Sequence, residues 1–213
     1  MTSVAGLSIL ILFLATGAIW SDVADRRQLH YLLKPLSTIL IIGLALVTAP
    51  APRPFYATAI VVGLVFSLGG DIFLMLPQDR FLAGLISFLL AHLAYIAAFV
   101  SVAGFHLAPV FLASLLIYGI VLFQLLWPGM GKMRGPAFVY MLAILTMAWQ
   151  AGGLWQSTGA SGHMLAAVGA LFFVLSDSLL AYNRFRHPIP GGRVLVLGTY
   201  YLAQWLIALS SNY

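Results

Sequence analysis

The sequence predicts an all-α fold, a polytopic membrane protein built as a single bundle of eight transmembrane helices with both termini outside. Three observations predict it. Of 213 residues, 62% are hydrophobic and 7% charged, against roughly 25% charged in soluble domains. Apolar runs alternate with short stretches rich in charge, Pro or Gly, and about 20 apolar residues suffice for one crossing. Finally, nine of the ten Lys and Arg residues fall in alternate loops, as a positive-inside topology requires.

The elements follow from that punctuation. The first apolar run, near 4–20, lacks a basic n-region and a small-residue cleavage site, so a retained helix is expected. The second helix is expected near 35–49, opened by Lys34 in LLKPLS and closed by the connection PAPRPF. Further helices are expected near 56–76, 81–102, 107–126, 136–151, 162–182 and 193–211, all within one domain spanning 1–213. Trp20, Trp127 and Trp155 lie at expected helix ends, where an interfacial aromatic belt belongs.

Loop charge gives the orientation. Arg26, Arg27, Lys34, Arg80, Lys132, Arg134, Arg184, Arg186 and Arg193 all sit in odd-numbered loops, and Arg53 alone sits elsewhere. The odd loops are therefore expected to be cytoplasmic. GLVFSLGGDIFLML from Gly63 also aligns with GALFFVLSDSLLAY from Gly169, superposing Asp71 on Asp177. A parallel four-helix repeat is one reading of that match, and the common composition of apolar helices is the other.

The chemistry must come from few residue types. Cys and Glu are absent, which removes disulfides, thiol nucleophiles and thiolate metal sites. The dispersed histidines 30, 92, 106, 163 and 187 offer no zinc motif, so no metal or other cofactor is expected. GMGKMRG lacks P-loop spacing, no G-x-S-x-G occurs, and the scattered basic residues make no nucleic-acid surface.

Two carboxylates interrupt otherwise apolar helices, Asp71 in LGGDIFLML and Asp177 in LFFVLSDSLLAY. A mid-membrane aspartate costs roughly 2.5 to 3.5 kcal/mol on insertion scales, so each needs a compensating contact or use. Both are expected five or six residues before the cytoplasmic end of their helix, roughly 8 Å along its axis. Equal depth makes them a candidate catalytic pair. Lys34, His92, Tyr95, Asn183, Arg184, Tyr200, Tyr201 and Gln204 complete a candidate substrate pocket open to the cytoplasmic leaflet. Interhelical glue for the aspartates, snorkelling for Lys34 and Arg184, and plain packing for the tyrosines, His92 and Gln204 are the structural alternatives.

KPL at 34–36, GD at 70–71, F-x2-G-x3-F-x3-H-x2-Y from Phe81 to Tyr95, SDSLLA at 176–181 and YYLAQ at 200–204 together resemble the YhhN-like lysoplasmalogenase family. The resemblance implies a multi-pass hydrolase that cleaves the vinyl ether bond of lysoplasmalogens, releasing a fatty aldehyde and glycerophosphoethanolamine or glycerophosphocholine. The residues suit that chemistry on their own terms. Proton donation to the β-carbon of a vinyl ether leaves an oxocarbenium ion that water captures, a task for two carboxyl groups in different protonation states. Burial and mutual repulsion are expected to keep one of the pair protonated. The competing reading is a transporter or flippase using the same aspartates to bind an amphiphile or cation. The expected partners are a lysophospholipid substrate and membrane lipids, with no obligatory protein partner. A bacterial inner membrane is the expected location.

Overall fold

A computed structural model describes residues 2–49 and 54–211. Its described residues hold only helices and turns: α1 (Thr2–Val23), α2 (Arg27–Thr48), α3 (Phe55–Met75), α4 (Phe81–Ala103), α5 (Pro109–Met130), a 3-10 turn (Gly131–Met133), α6 (Arg134–Thr158), α7 (Ser161–Phe185) and α8 (Gly192–Ser210). Seven continuous helical stretches are long and apolar enough to cross a membrane, the longest being Pro109–Thr158, which the 3-10 turn divides into α5 and α6. Most of PAPRPF, including Arg53, and the extreme terminal residues lie outside the described residues.

Several helices run further than the punctuation suggests. The second begins at Arg27 rather than 35, because Pro35 is taken into its interior. A proline there leaves the carbonyl one turn back without its helical donor, which a membrane helix tolerates where neighbours supply polar groups. Lys34 therefore lies two turns inside α2 and does not open it. Likewise α6 continues to Thr158 and α7 to Phe185, so Asp71 stands four residues from its helix end and Asp177 eight. The equal depth read from expected helix ends is not what these ends give.

The bundle is apolar outside and polar within. Leu12, Phe13, Ile117 and Val110 are exposed, whereas Ser37, Thr38, Ser67, His92 and Gln204 are fully buried. Lipid solvates the former, and only neighbouring helices can satisfy the latter. The most extensive packing joins α3 to α4 and α7 to α8, while α5 sits at the edge against α6 and α7. At the end remote from the basic loops, Tyr56 bonds Ser210 at 2.8 Å and Thr48 bonds Ser211 at 2.9 Å. Gln150 meanwhile satisfies both backbone groups of His106 at 3.1 Å. These contacts link the helices at that end.

Gly169 sets the approach of α7 to α8. A Cβ there would stand 2.9 Å from the carbonyl oxygen of Ala203, a backbone atom that cannot turn aside. Gly169→Val is accordingly expected to destabilise the bundle by about 1–3 kcal/mol, read as a lowered thermal midpoint in detergent; an unchanged midpoint would mean that the two helices separate freely.

Candidate active site

Asp71 lies on α3 and is 1% exposed. Its carboxylate meets Lys34 Nζ of α2 at 3.3 Å. Thr38, one turn further along α2, donates its hydroxyl to Oδ2 at 2.7 Å, and Tyr200 of α8 donates to the same oxygen at 2.6 Å. Spacing explains the pair from α2, since positions four apart share a helix face. The network then continues inward. Gln204 donates Nε2–H to the Tyr200 hydroxyl at 3.2 Å and accepts from the Tyr95 hydroxyl at 2.9 Å; Tyr95 also stands 3.4 Å from Ser67. The Asp71 carboxyl is thus met by one ammonium and two hydroxyls.

Asp177, on α7, has different company. Tyr140 of α6 donates its hydroxyl to Asp177 Oδ2. His92 Nε2 of α4 lies 2.9 Å from that hydroxyl and 3.8 Å from the carboxylate. His92 is fully buried, and its Nδ1 has no hydrogen-bond partner among the described residues. Phe173 and Tyr140 meet the imidazole edge-on, with centroids 4.8 and 5.2 Å away. The result is a cluster of His92, Tyr140 and Asp177, of which Asp177 lines the cavity described below.

No hydrogen bond joins the two carboxylates among the described residues, so each takes its setting from its own donors. Both nevertheless line one cavity of about 480 Å³ that opens at the end carrying the basic loops. Its walls come from α2, α3, α4, α7 and α8, and its mouth from Asp22, Asp25, Arg27 and Arg193. A second, narrow and almost wholly apolar groove runs between α4, α5, α6 and α7. The two share Leu74, Phe88, Asp177 and Leu180. Asp177 thus stands where a polar chamber meets an apolar one.

Lys34, His92, Tyr95, Tyr200 and Gln204 are brought into these networks, and Lys34 and Tyr200 line the cavity itself. Three other expected site residues are not. Arg184 turns to Asp79 at 2.6 Å and stacks over Phe81 on the exposed rim. Asn183 accepts the backbone N–H of Ile189 at 2.8 Å, fixing the turn into α8. Tyr201, one residue past Tyr200, faces α1 across a separate groove. The residues that sequence reasoning missed are Thr38, Tyr140 and Arg193. Thr38 was signalled by its i, i+4 relation to Lys34; Tyr140 stands alone among apolar neighbours and gave no local signal. Arg193 is held by Asp25 Oδ1 at 2.7 Å and by the Asp22 carbonyl at 2.8 Å. That guanidinium holds the exposed Asp25 carboxyl below its ordinary value, through its hydrogen bond first and its charge second.

Fold and site together define a polytopic helical membrane protein with a two-carboxylate cavity reached from one membrane face. Comparison with known sequences sharpens the class: the sequence model of the YhhN family matches residues 29–211. The chain belongs to the YhhN family. It is similar to human lysoplasmalogenase TMEM86A, 37% identical over 163 residues that make up 73% of this chain and 65% of that protein. Human lysoplasmalogenase TMEM86B is 35% identical over 198 residues, 91% of this chain and 80% of that one. The uncharacterized membrane protein YhhN of Escherichia coli O157:H7 is 26% identical over 181 residues, 85% of this chain and 86% of that protein. The chain spans about two thirds of the length of the TMEM86A proteins it matches. No solved structure matches.

Proposed function

We propose that this protein is a lysoplasmalogenase, an intramembrane hydrolase that cleaves the vinyl ether bond of a lysoplasmalogen to give a fatty aldehyde and a glycerophosphoethanolamine or glycerophosphocholine. The observation that carries the reading is the junction at Asp177. A lysoplasmalogen is polar on one side of its vinyl ether and hydrocarbon on the other, and Asp177 lies where a charged chamber meets an apolar groove. The lysoplasmalogenase names of the TMEM86 relatives support the same substrate class.

The two carboxyl settings divide the chemistry. The Asp177 carboxyl, supplied through Tyr140 and His92, gives its proton to the β-carbon of the vinyl ether, and the double bond becomes an oxocarbenium ion. Asp71, kept anionic by Lys34, Thr38 and Tyr200, stabilises that cation and takes a proton from the attacking water. Water oxygen bonds to the carbon bearing the ether oxygen, giving a hemiacetal. Its collapse breaks the bond between that carbon and the glycerol oxygen; the proton of the hemiacetal hydroxyl passes to the departing oxygen as the aldehyde forms. The proton taken up by Asp71 then returns to Asp177 through the cavity they share, which restores both carboxyls for the next turnover. In this reading the chain crosses the membrane eight times with its termini outside, α5 and α6 each counting once, and the odd loops face the cytoplasm. The pairing of α3 with α4 and of α7 with α8 suits a parallel repeat in which Asp71 and Asp177 occupy equivalent positions.

Purified protein in vesicles is expected to release aldehyde from a lysoplasmenyl ethanolamine and none from the saturated alkyl ether of the same chain length. Movement of the intact lipid across the bilayer with no aldehyde would replace the hydrolase by a transporter.

A further inference from the structure

Lys34 is committed to Asp71, and Arg184 to Asp79. The head group of a lysolipid therefore needs another anchor. Arg193 lines the cavity mouth, and its Nη1 is held by Asp25 Oδ1 at 2.7 Å and the Asp22 carbonyl at 2.8 Å. Those contacts use one nitrogen of the fork and fix the plane of the rest. On α8, Arg193 precedes Tyr200 by seven residues, so both lie on one face with Arg193 roughly 10 Å nearer the mouth. On α2, Arg27 precedes Lys34 by the same interval, with His30 between them on the same stripe. His30 gives Nδ1–H to the Ala18 carbonyl at 3.0 Å and lines the cavity as well. Two helices thus carry matched stripes, each leading from the Asp71 level to a cation at the mouth.

We infer that Arg193, with Arg27 and His30, forms a subsite for the phosphodiester of a zwitterionic lysophospholipid, and that the Asp22 carboxylate receives its ammonium group. The inference rests on the hydrolase reading for the identity of the lipid. The order of groups is the argument. A glycerol and its two oxygens separate the vinyl ether from the phosphorus, and Arg193 lies on the mouth side of Tyr200 along the same face of α8. The ammonium follows the phosphate in the lipid, and Asp22 lines the same cavity beside Arg193. Among the described residues Asp71, Asp79, Asp177 and Asp25 each have a donor, whereas no hydrogen bond or ion pair holds the Asp22 side chain, whose charge faces Arg193. Asp25 is then a positioning residue that holds Arg193 in the mouth.

The test measures binding without catalysis, using a saturated 1-alkyl glycerophosphoethanolamine, the matching 1-alkyl glycerol phosphate and the matching 1-alkylglycerol as calorimetric probes in detergent. Wild-type protein is expected to bind the phosphoethanolamine probe at least about tenfold more tightly than the alkylglycerol. Arg193→Gln removes that preference and leaves alkylglycerol affinity unchanged, while Arg193→Lys restores part of it. Asp22→Asn removes only the preference for phosphoethanolamine over plain phosphate. Equal affinities of Arg193→Gln and wild type for the phosphoethanolamine probe overturn the subsite, as does displacement of that probe by an equal concentration of inorganic phosphate. Phosphate-dependent binding without aldehyde release in the wild type overturns the hydrolase reading and leaves the subsite standing. Aldehyde release with no phosphate preference does the reverse.

Discussion

Asp177→Asn is expected to lower the kcat for aldehyde release from a lysoplasmenyl lipid by 10²–10⁴-fold, on the order of what a general acid contributes, with little change in KM. The amide keeps the size of the side chain and an oxygen for the Tyr140 hydroxyl, so the bonding of α6 to α7 survives. What it lacks is a transferable proton of suitable acidity next to the substrate carbon. An effect confined to kcat marks an interaction made in the transition state. Tyr140→Phe should follow in the same direction by about tenfold, because it cuts the link between His92 and the carboxyl without removing the carboxyl itself. Steady-state rates of fatty aldehyde formation, paired with thermal midpoints to confirm folding, decide the matter. Asp177→Asn turnover within a factor of a few of wild type would move the proton donor elsewhere.

Much of this was legible in the sequence, and the reasons are physical. A helix that must cross hydrocarbon declares itself by length and apolarity, so the order of helices could be read directly. The two aspartates stood out because a charge in that setting is costly. What remained hidden depends on which helix packs against which. Tyr140 looks like any aromatic residue in an apolar run until α6 is seen beside α7. Arg184 and Arg193 are equivalent loop cations by sequence, yet one is drawn off by Asp79 and the other is turned into the cavity by Asp25. Pro35 lies inside the second helix, where the sequence suggests a start, because membrane helices absorb prolines. Helix ends then shifted, and with them the inferred depth of Asp177.

The largest effect on stability is expected at Lys34. Its ammonium and the Asp71 carboxylate are 9% and 2% exposed as side chains, and removing one partner of such a pair typically costs about 3–5 kcal/mol because the other charge is stranded. Lys34→Met strands the carboxylate deep in the bundle, with only Thr38 and Tyr200 to hold it. Asp71→Asn strands the ammonium instead, but that group sits on a long stem that lines the cavity and can extend toward its mouth. Lys34→Met should therefore lower the thermal midpoint in detergent more than Asp71→Asn does. The double variant Lys34→Met with Asp71→Asn leaves no stranded charge and keeps an acceptor for both hydroxyls, so most of the lost stability should return. Aldehyde release should not return with it. A double variant that is stable and inactive would show that the ion pair is retained for its place in the reaction, since apolar and neutral side chains hold the fold as well. Additive losses across the cycle would instead mean that the two charges do not meet in the membrane, and the anionic role assigned to Asp71 would fall with them.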